Sequence, residues 1–381
     1  MPGVNVVGYF HAELGVAEAA RRLTVALDRA AIPYSTIVYR RTKSRQQHAF
    51  DGQQLNRAPY DINLVCVNAK QFPRLRQDLG EAPFVNRYTI GVWFWELSTF
   101  PAKQFRSFDL VDEIWVASPF VRDALQPVTV KPVNIVPLPI IAPAVQPMSR
   151  GQLEMSDRFT FLCSFDFFSV FERKNPLAVV EAYTRAFEPE DGTTLYLKSI
   201  NGAHDPSSLE RLRLRIGGRP DIALHDGYVS AAERDALVAA CDCYVSLHRS
   251  EGYGLTMAEA MALAKPVIAT SYSGNLAFMT PDNSYLVPYT LVKVGHDRRP
   301  YPPGMEWADP DIDQAARLMR HVFENRREAR CVGERGRNDV LTRYSVEHAA
   351  AEIARLIQQA RERAFAAFQA DTSSGSKRST P

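Results

Sequence analysis

Ser250-Glu251-Gly252-Tyr253-Gly254-Leu255-Thr256-Met257-Ala258-Glu259-Ala260-Met261-Ala262 is the stretch from which the rest of the chain is read. The apolar run before it, residues 243–247, reads as a buried strand, and residues 256–263 read as a helix. Gly252 and Gly254 let the backbone come close to a ligand. The N–H groups at the helix start lack intrahelical partners, point to one place and favour an anion. Glu251 lies just before the helix and Glu259 about one turn into it, so both reach one polar ligand, Glu251 beside the anion and Glu259 further out. A carboxylate accepts hydrogen bonds from the paired hydroxyls of a sugar. The same residues also fit a glycine-containing strand–helix turn with two solvated glutamates, and a lone Gly-x-Gly does not separate the two readings.

Outward from this stretch, short apolar runs alternate with amphipathic helical patterns. Residues 4–9, 62–67, 88–93, 113–117 and 134–136 read as strands, with a helix over 15–29 whose apolar face carries Val16, Ala19, Ala20, Leu23 and Leu27. A second series follows. Its strands fall at 159–165, 194–198, 222–225, 243–247 and 266–269, and its helices at 176–187, 206–216, 231–241 and 256–263. This rhythm predicts mostly parallel sheets covered by helices on both faces. Pro137, Pro139, Pro143 and Pro147 mark a linker over 136–151. Residues 292–310, rich in Pro, Gly and charge, read as a long loop. Helices are expected near 312–325 and 345–368, the last packing Ile353, Leu356, Ile357, Ala360 and Phe365 on something apolar. A Ser/Thr/Lys-rich tail over 371–381 reads as disordered.

The 381 residues suggest two domains, each able to bury a core. A hydrophobic share of 46% and a charged share of 23% are ordinary for a globular protein. A net charge of +2 gives no global attraction to nucleic acid, so any cationic site is local. The five cysteines are scattered and, apart from Cys241 and Cys243, far apart in sequence, which reads as structural thiols in a reducing compartment. No secretory leader is read at the N-terminus, and no run approaches the ~18 apolar residues of a membrane span. Any membrane contact is expected from the surface.

The stretch from Ser250 to Gly274, closing on Lys265-Pro266-Val267-Ile268-Ala269-Thr270-Ser271-Tyr272-Ser273-Gly274, resembles glycosyltransferase family 4, whose hallmark is two glutamates with seven residues between them, an alanine-rich helix and a Pro-Val-Ile strand. Glu172-Arg173-Lys174-Asn175-Pro176 resembles the family's donor-phosphate motif, and Asp226-Gly227-Tyr228-Val229-Ser230 its nucleotide-base loop. The resemblance covers residues 159–290 well. It implies a GT-B fold: two Rossmann-like doubly wound domains facing a central cleft. The expected division is 1–142 as the acceptor-side domain, 143–158 as linker, 159–343 as the nucleotide-sugar domain, and 344–370 as a helix returning to the first domain. The implied activity is retaining, metal-independent transfer of a hexose from a nucleotide-diphosphate sugar to a glycan or lipid-linked acceptor, of the kind that builds bacterial cell-surface polysaccharides. The enzyme would be cytoplasmic or peripheral on the inner face of the membrane.

A departing nucleotide diphosphate needs fixed positive charge more than a base. Arg173 and Lys174 stand just before a helix and supply it, Arg gripping two oxygens and Lys acting as a point charge. By resemblance, Glu251 contacts the donor-sugar hydroxyls and Glu259 the nucleotide ribose. Gly252, Tyr253, and the N–H groups near Gly254 and Leu255 hold the diphosphate and sugar, and Tyr228 and Val229 meet the base. Gly15 approaches the diphosphate from the first domain, with His11 and Glu13 in the same loop. Where the family often has a histidine, this chain has Gly91-Val92-Trp93-Phe94-Trp95-Glu96-Leu97, so Glu96 is the substitute polar group, and Trp93 and Trp95 are either buried aromatics or a sugar-stacking face. His248 reads as a strand-end residue or a ligand. Many relatives carry a Glu soon after the glycine of Ser273-Gly274-Asn275-Leu276-Ala277; here Leu and Ala stand there. Asp309, Asp311 and Asp313 read as helix-start acids, so no metal is expected. The basic run Arg40, Arg41, Lys43, Arg45 reads as a solvated loop or a headgroup contact. A GT-B 2-epimerase of sugar nucleotides and a catalytically silent sugar-nucleotide-binding protein are the competing readings.

Overall fold

The structure, a computed structural model, describes residues 2–52, 57–296 and 298–376. The chain forms two units. The first takes the residues up to Trp95, Phe100–Pro139 and those from Tyr344 onward; the second takes Glu96–Thr99 and Ile140–Arg343.

In the first unit the elements run β1 (Val4–Gly8), α1 (Gly15–Arg29), β2 (Tyr34–Val38), β3 (Ile62–Cys66), α2 (Phe72–Leu79), β4 (Tyr88–Val92), β5 (Glu113–Val116), α3 (Pro119–Leu125) and β6 (Val133–Ile135). The sheet order is β2-β1-β3-β4-β5-β6, with every pairing parallel. All residues of β1 and β3 are buried, as expected of strands covered on both faces. Buried Asn5 fixes the register: its amide donates to Asn63 Oδ1 at 2.9 Å, and Ser35 Oγ donates to its carbonyl at 3.1 Å, each across a paired strand position.

The second unit contains β7 (Phe159–Asp166), α4 (Phe171–Lys174), α5 (Pro176–Ala186), β8 (Thr193–Ile200), α6 (Pro206–Ile216), β9 (Ile222–Asp226), α7 (Ala231–Ala240), β10 (Cys243–Ser246), α8 (Leu255–Ala262), β11 (Val267–Thr270) and β12 (Tyr285–Val287). Its parallel order is β12-β11-β10-β7-β8-β9. This is the dinucleotide-fold arrangement, with its reversal of strand order between β7 and β10. Phe161, Val245, Ile268, Leu195 and Leu197 fill the core between sheet and helices.

Residues 292–310, expected as a loop, carry a ribbon instead. β13 (Tyr289–Lys293) pairs antiparallel with β14 (Glu306–Pro310), and Trp307 and Ala308 are buried. Local composition concealed it because the pairing joins strands across a Pro- and Gly-bearing turn. α9 (Ile312–Glu324) is followed by α10 (Arg326–Arg343), which the sequence pattern does not reveal. Gly333 and Gly336 weaken its helical signal, yet they are where α10 approaches backbone: a Cβ on Gly333 would lie 2.2 Å from Ala264 O. The expected linker also differs. Leu153 and Met155 are buried and Arg150 pairs with Asp242 at 2.9 Å, so these residues belong to the second unit.

The last helix, α11 (Val346–Ser376), packs on α1 within the first unit and buries Ile353, Leu356, Ile357 and Ala360. Phe365, expected on that face, is 64% exposed. The helix extends into the stretch read as a disordered tail, and residues 377–381 lie outside the described residues. Among the described residues no helix is long and apolar enough to cross a membrane.

Candidate functional site

The ends of β7 and β10 lie side by side where the strand order of the second unit reverses, and the loops leaving such ends diverge to form a ligand crevice. After β7 the chain makes the single turn α4, which carries Arg173 and Lys174. Asn175 then takes a left-handed conformation (φ 54°) before Pro176 opens α5. The Asn175 amide donates to Leu247 O at 3.0 Å, tying this loop to the one after β10.

After β10 the chain runs through buried His248 and Ser250 to Glu251. Gly254, at φ 98°, caps α8, a backbone state that favours glycine. The loop is braced from behind by Ser273 and Gly274. Ser273 Oγ accepts from Glu251 N at 2.8 Å, and Gly274 N donates to Glu251 O at 2.9 Å. A Cβ on Gly274 would stand 2.2 Å from Gly252 O.

These loops place Glu251 against both cations: Oε1 is 2.5 Å from Lys174 Nζ and 3.1 Å from Arg173 Nη1. Arg173 Nη1 also donates to Ser250 O at 2.7 Å, and its Nε is buried without a hydrogen-bond partner. Burial opposes ionisation of Glu251, but Lys174 and Arg173 outweigh it and hold the carboxyl down at about 2. Burial likewise opposes the Arg173 charge, and the acidic groups Tyr301, Glu251 and Glu96 around it raise its pKa all the same. The arrangement is a buried arginine and a half-buried lysine bridged by one carboxylate, at a crevice where α8 begins. Chemically it suits an anionic ligand with polar hydroxyls.

His248 is a brace. Its ring nitrogens meet Ser246 Oγ at 3.1 Å and Tyr272 O and Asn275 Oδ1 at 3.2 Å, and burial lowers its pKa, keeping it neutral. Asn275, in the segment that departs from the family pattern, is fully buried, whereas Leu276 is 42% exposed. Gly252 and Tyr253 are buried, and Leu255 and Glu259 half-buried on α8. Tyr228 donates its hydroxyl to Asn201 Oδ1 at 3.0 Å, and Asn201 donates to Asp166 Oδ1 at 2.7 Å, beside half-buried Val229. Lys198, which no sequence motif singles out, holds this loop through the carbonyls of Gly227 and Ser199. A lone lysine in an apolar strand gives no pattern to find it by.

Glu96 was expected in the first domain. Residues Glu96–Thr99 instead belong to the second unit, where Glu96 O accepts from Ser250 Oγ. Trp93 and Trp95 are buried, 1% and 4% exposed, and pack on Phe100, so they offer no sugar-stacking face. In the first unit, Gly15 opens α1 with open space around it, and Glu13 pairs with Arg45 at 2.8 Å. His11 Nδ1 lies 3.0 Å from His48 O. In the basic run Arg41 meets Asp78 at 3.6 Å, so with Arg45 on Glu13 part of its charge is neutralised within the fold. Asp309, Asp311 and Asp313 go to separate partners: Arg249 at 2.6 Å, Gln314 N at 2.9 Å and Arg185 at 2.6 Å.

Two six-stranded parallel sheets, each in a helix-covered unit, define a GT-B fold. Residues 163–293 match the family described as Glycosyl transferases group 1. The chain is 26% identical over 209 residues to a trehalose synthase from Rubrobacter xylanophilus, an overlap of 48% of this chain and 48% of that protein, so it spans about half the length of this curated relative. Among solved structures it is similar to Anabaena Alr3699/HepE in complex with UDP-glucose (TM-score 0.69, 14% identity, covering 94% of this chain and 100% of that one). It is also similar to a sucrose-phosphate synthase from Thermosynechococcus elongatus (TM-score 0.68, 15% identity, covering 94% and 99%).

Proposed function

We propose that this chain is a retaining glycosyltransferase that moves a hexose from a nucleotide-diphosphate donor to a glycan or lipid-linked acceptor. The observation that carries it is the convergence of Arg173, Lys174 and Glu251 where the strand order of the second unit reverses. The donor diphosphate takes the cations, Glu251 turns to the sugar hydroxyls, and Glu259 takes the ribose. Gly252, Tyr253, Gly254 and Leu255 line the diphosphate and sugar, and Tyr228 and Val229 the base. As the glycosidic bond breaks, charge grows on the leaving phosphate and Arg173 and Lys174 stabilise it. The acceptor enters on the leaving-group face, and its proton passes to the departing phosphate, so configuration is retained without a general base on the opposite face. The fixed cations take the part a divalent ion plays elsewhere. The similar HepE structure contains UDP-glucose, which makes that donor the first to try.

The test is a panel of nucleotide sugars, UDP-glucose first, assayed for hydrolysis, for transfer to lipid-linked and oligosaccharide acceptors, and in EDTA. Transfer with an α-linked product from an α-linked donor, in EDTA, is the expected result. A β-linked product overturns retention, and activity abolished by EDTA and restored by Mn²⁺ overturns metal independence. Donor isomerised at C2 without acceptor favours an epimerase, and binding without turnover favours a silent binding protein. The acceptor is expected to meet the enzyme at the cytoplasmic membrane face, and binding to anionic liposomes that falls with salt checks this.

A further inference from the structure

The turn α4 carries Arg173 and Lys174, and at four residues it is too short to hold itself. Its early carbonyls are used locally: Lys174 N donates to Val170 O at 3.1 Å, and Asn175 N donates to Phe171 O at 2.8 Å. Glu172 O gets no such partner, because the residue four positions on is Pro176, which has no N–H. The left-handed turn at Asn175 ends the helical run there, so Arg173 O also needs a donor from outside.

Both carbonyls are taken by one residue, Arg249, in the loop after β10. Its backbone N–H donates to Arg173 O at 2.7 Å, and its Nη1 donates to Glu172 O at 3.2 Å. The rest of the guanidinium is held by the ribbon. Nε and Nη2 donate to Asp309 Oδ1 at 3.1 and 2.6 Å, and the group lies 5.7 Å from the Trp307 ring centre. Ala308 N adds a bond to Arg249 O at 2.9 Å. From the same segment Arg298 pairs with the Glu172 carboxylate at 3.1 Å. The match to the glycosyl transferases group 1 family stops at residue 293, inside β13, so Arg298, Trp307, Ala308 and Asp309 all lie beyond it.

We propose that Arg249, clamped by Asp309, is a positioning residue that fixes the backbone of α4 and so aims Arg173 and Lys174 at the donor diphosphate. This rests on the reading of those two residues as diphosphate cations. Arg249 acts through α4 and touches no substrate. Its main-chain bond to Arg173 O survives any substitution, so the side chain supplies the second point of attachment, without which the turn pivots about the first. A cation displaced with its turn keeps its charge and loses its geometry, and a diphosphate grip depends on geometry.

Arg249→Met keeps an apolar side chain on Trp307 and removes the donors; Asp309→Ala removes the acceptor that holds them. Affinities for UDP, GDP and ADP are measured by calorimetry, and those for the matching nucleosides by displacement. The proteins compared are the wild type, each variant, the Arg249→Met/Asp309→Ala pair and Arg173→Ala. Arg249→Lys, which keeps the charge and loses the planar fork, replaces the methionine variant if that protein does not fold. For the diphosphate that the wild type binds, Arg249→Met is expected to lose about tenfold, the scale of one hydrogen bond from a charged group. Asp309→Ala is expected to lose about fivefold, the scale of a part-exposed ion pair. The pair is expected to lose no more than Arg249→Met alone. The nucleoside, which has no phosphate to be gripped, is expected to bind the wild type and the Arg249 and Asp309 variants alike. Equal losses for diphosphate and nucleoside mean a role in folding alone and overturn the proposal. So do additive losses in the pair. Diphosphate binding within twofold of wild type in both variants, while Arg173→Ala is weakened, also overturns it and leaves the donor site standing. A wild-type protein that binds none of the three diphosphates overturns the donor-site reading and takes the role of Arg249 with it.

Discussion

Glu251 carries opposed demands: it is buried at 9% exposure, yet it is ionised because Lys174 and Arg173 stand against it. Its folded pKa of about 2 lies below the ordinary 4.5. A lowered folded pKa contributes stability that is complete above the ordinary value and lost as pH falls toward the folded one, here worth about 3 kcal/mol. Stability is therefore expected to fall between about pH 4.5 and 2, and Glu251→Gln to flatten that part of the curve. Denaturant melts across that window read this directly; identical slopes for both proteins would mean the ion pairs do not form. In the proposed reaction, removing either cation takes away charge stabilisation that the leaving phosphate needs. Arg173→Ala and Lys174→Ala are each expected to lose on the order of 10²-fold in kcat. Rates within twofold of wild type for both would rule out a phosphate role.

At the scale of elements, glycines with opposite surroundings make a paired prediction. Gly333 lies inside α10, where an exposed Gly→Ala change ordinarily gains about 1 kcal/mol. Its added Cβ would stand 2.2 Å from Ala264 O, a backbone atom that cannot swing aside. Gly333→Ala is therefore expected to destabilise by about 1–3 kcal/mol, read as a lowered Tm. Gly15, at the start of α1, is different: a methyl added there would meet no atom within 4 Å. Gly15→Ala is expected to leave Tm unchanged or raised, and to raise KM for the donor if the diphosphate comes close to that turn. A stable variant with unchanged KM would remove Gly15 from the donor site.

At the scale of the whole molecule, the first unit is completed by the end of the chain. α11 buries Ile353, Leu356, Ile357 and Ala360, and Arg363 gives buried Glu113 a counter-charge at 2.8 Å. A protein ending at Arg343 is expected to lose hydrogen-exchange protection in β1, β3, β4 and β5 while β7, β8, β10 and β11 keep theirs. Equal loss in both sheets would show that α11 serves the units alike. The charge of the whole chain, +2, is too small to direct the reaction. In the proposed reaction the field that acts is local, at Arg173 and Lys174.

The parallel sheets and the residues of the crevice are legible in the order of amino acids. Apolar runs buried on both faces and helices of regular period are local properties, and the Glu251 and Arg173 motifs are contiguous. What those motifs lie against emerges only when the chain packs. Glu96 and Ser250 are far apart in sequence and meet only through packing, and in the same way Arg298 and Ala308 of the ribbon segment reach Glu172 and Arg249. α10 escapes a local reading for the same reason: its glycines count against a helix, and they are required by a backbone it meets only in the folded unit. Phe365 shows the converse, fitting the helical period of α11 while the apolar surface it would cover has already ended. Periodicity registers which face of an element is apolar; only packing sets how far the complementary surface extends.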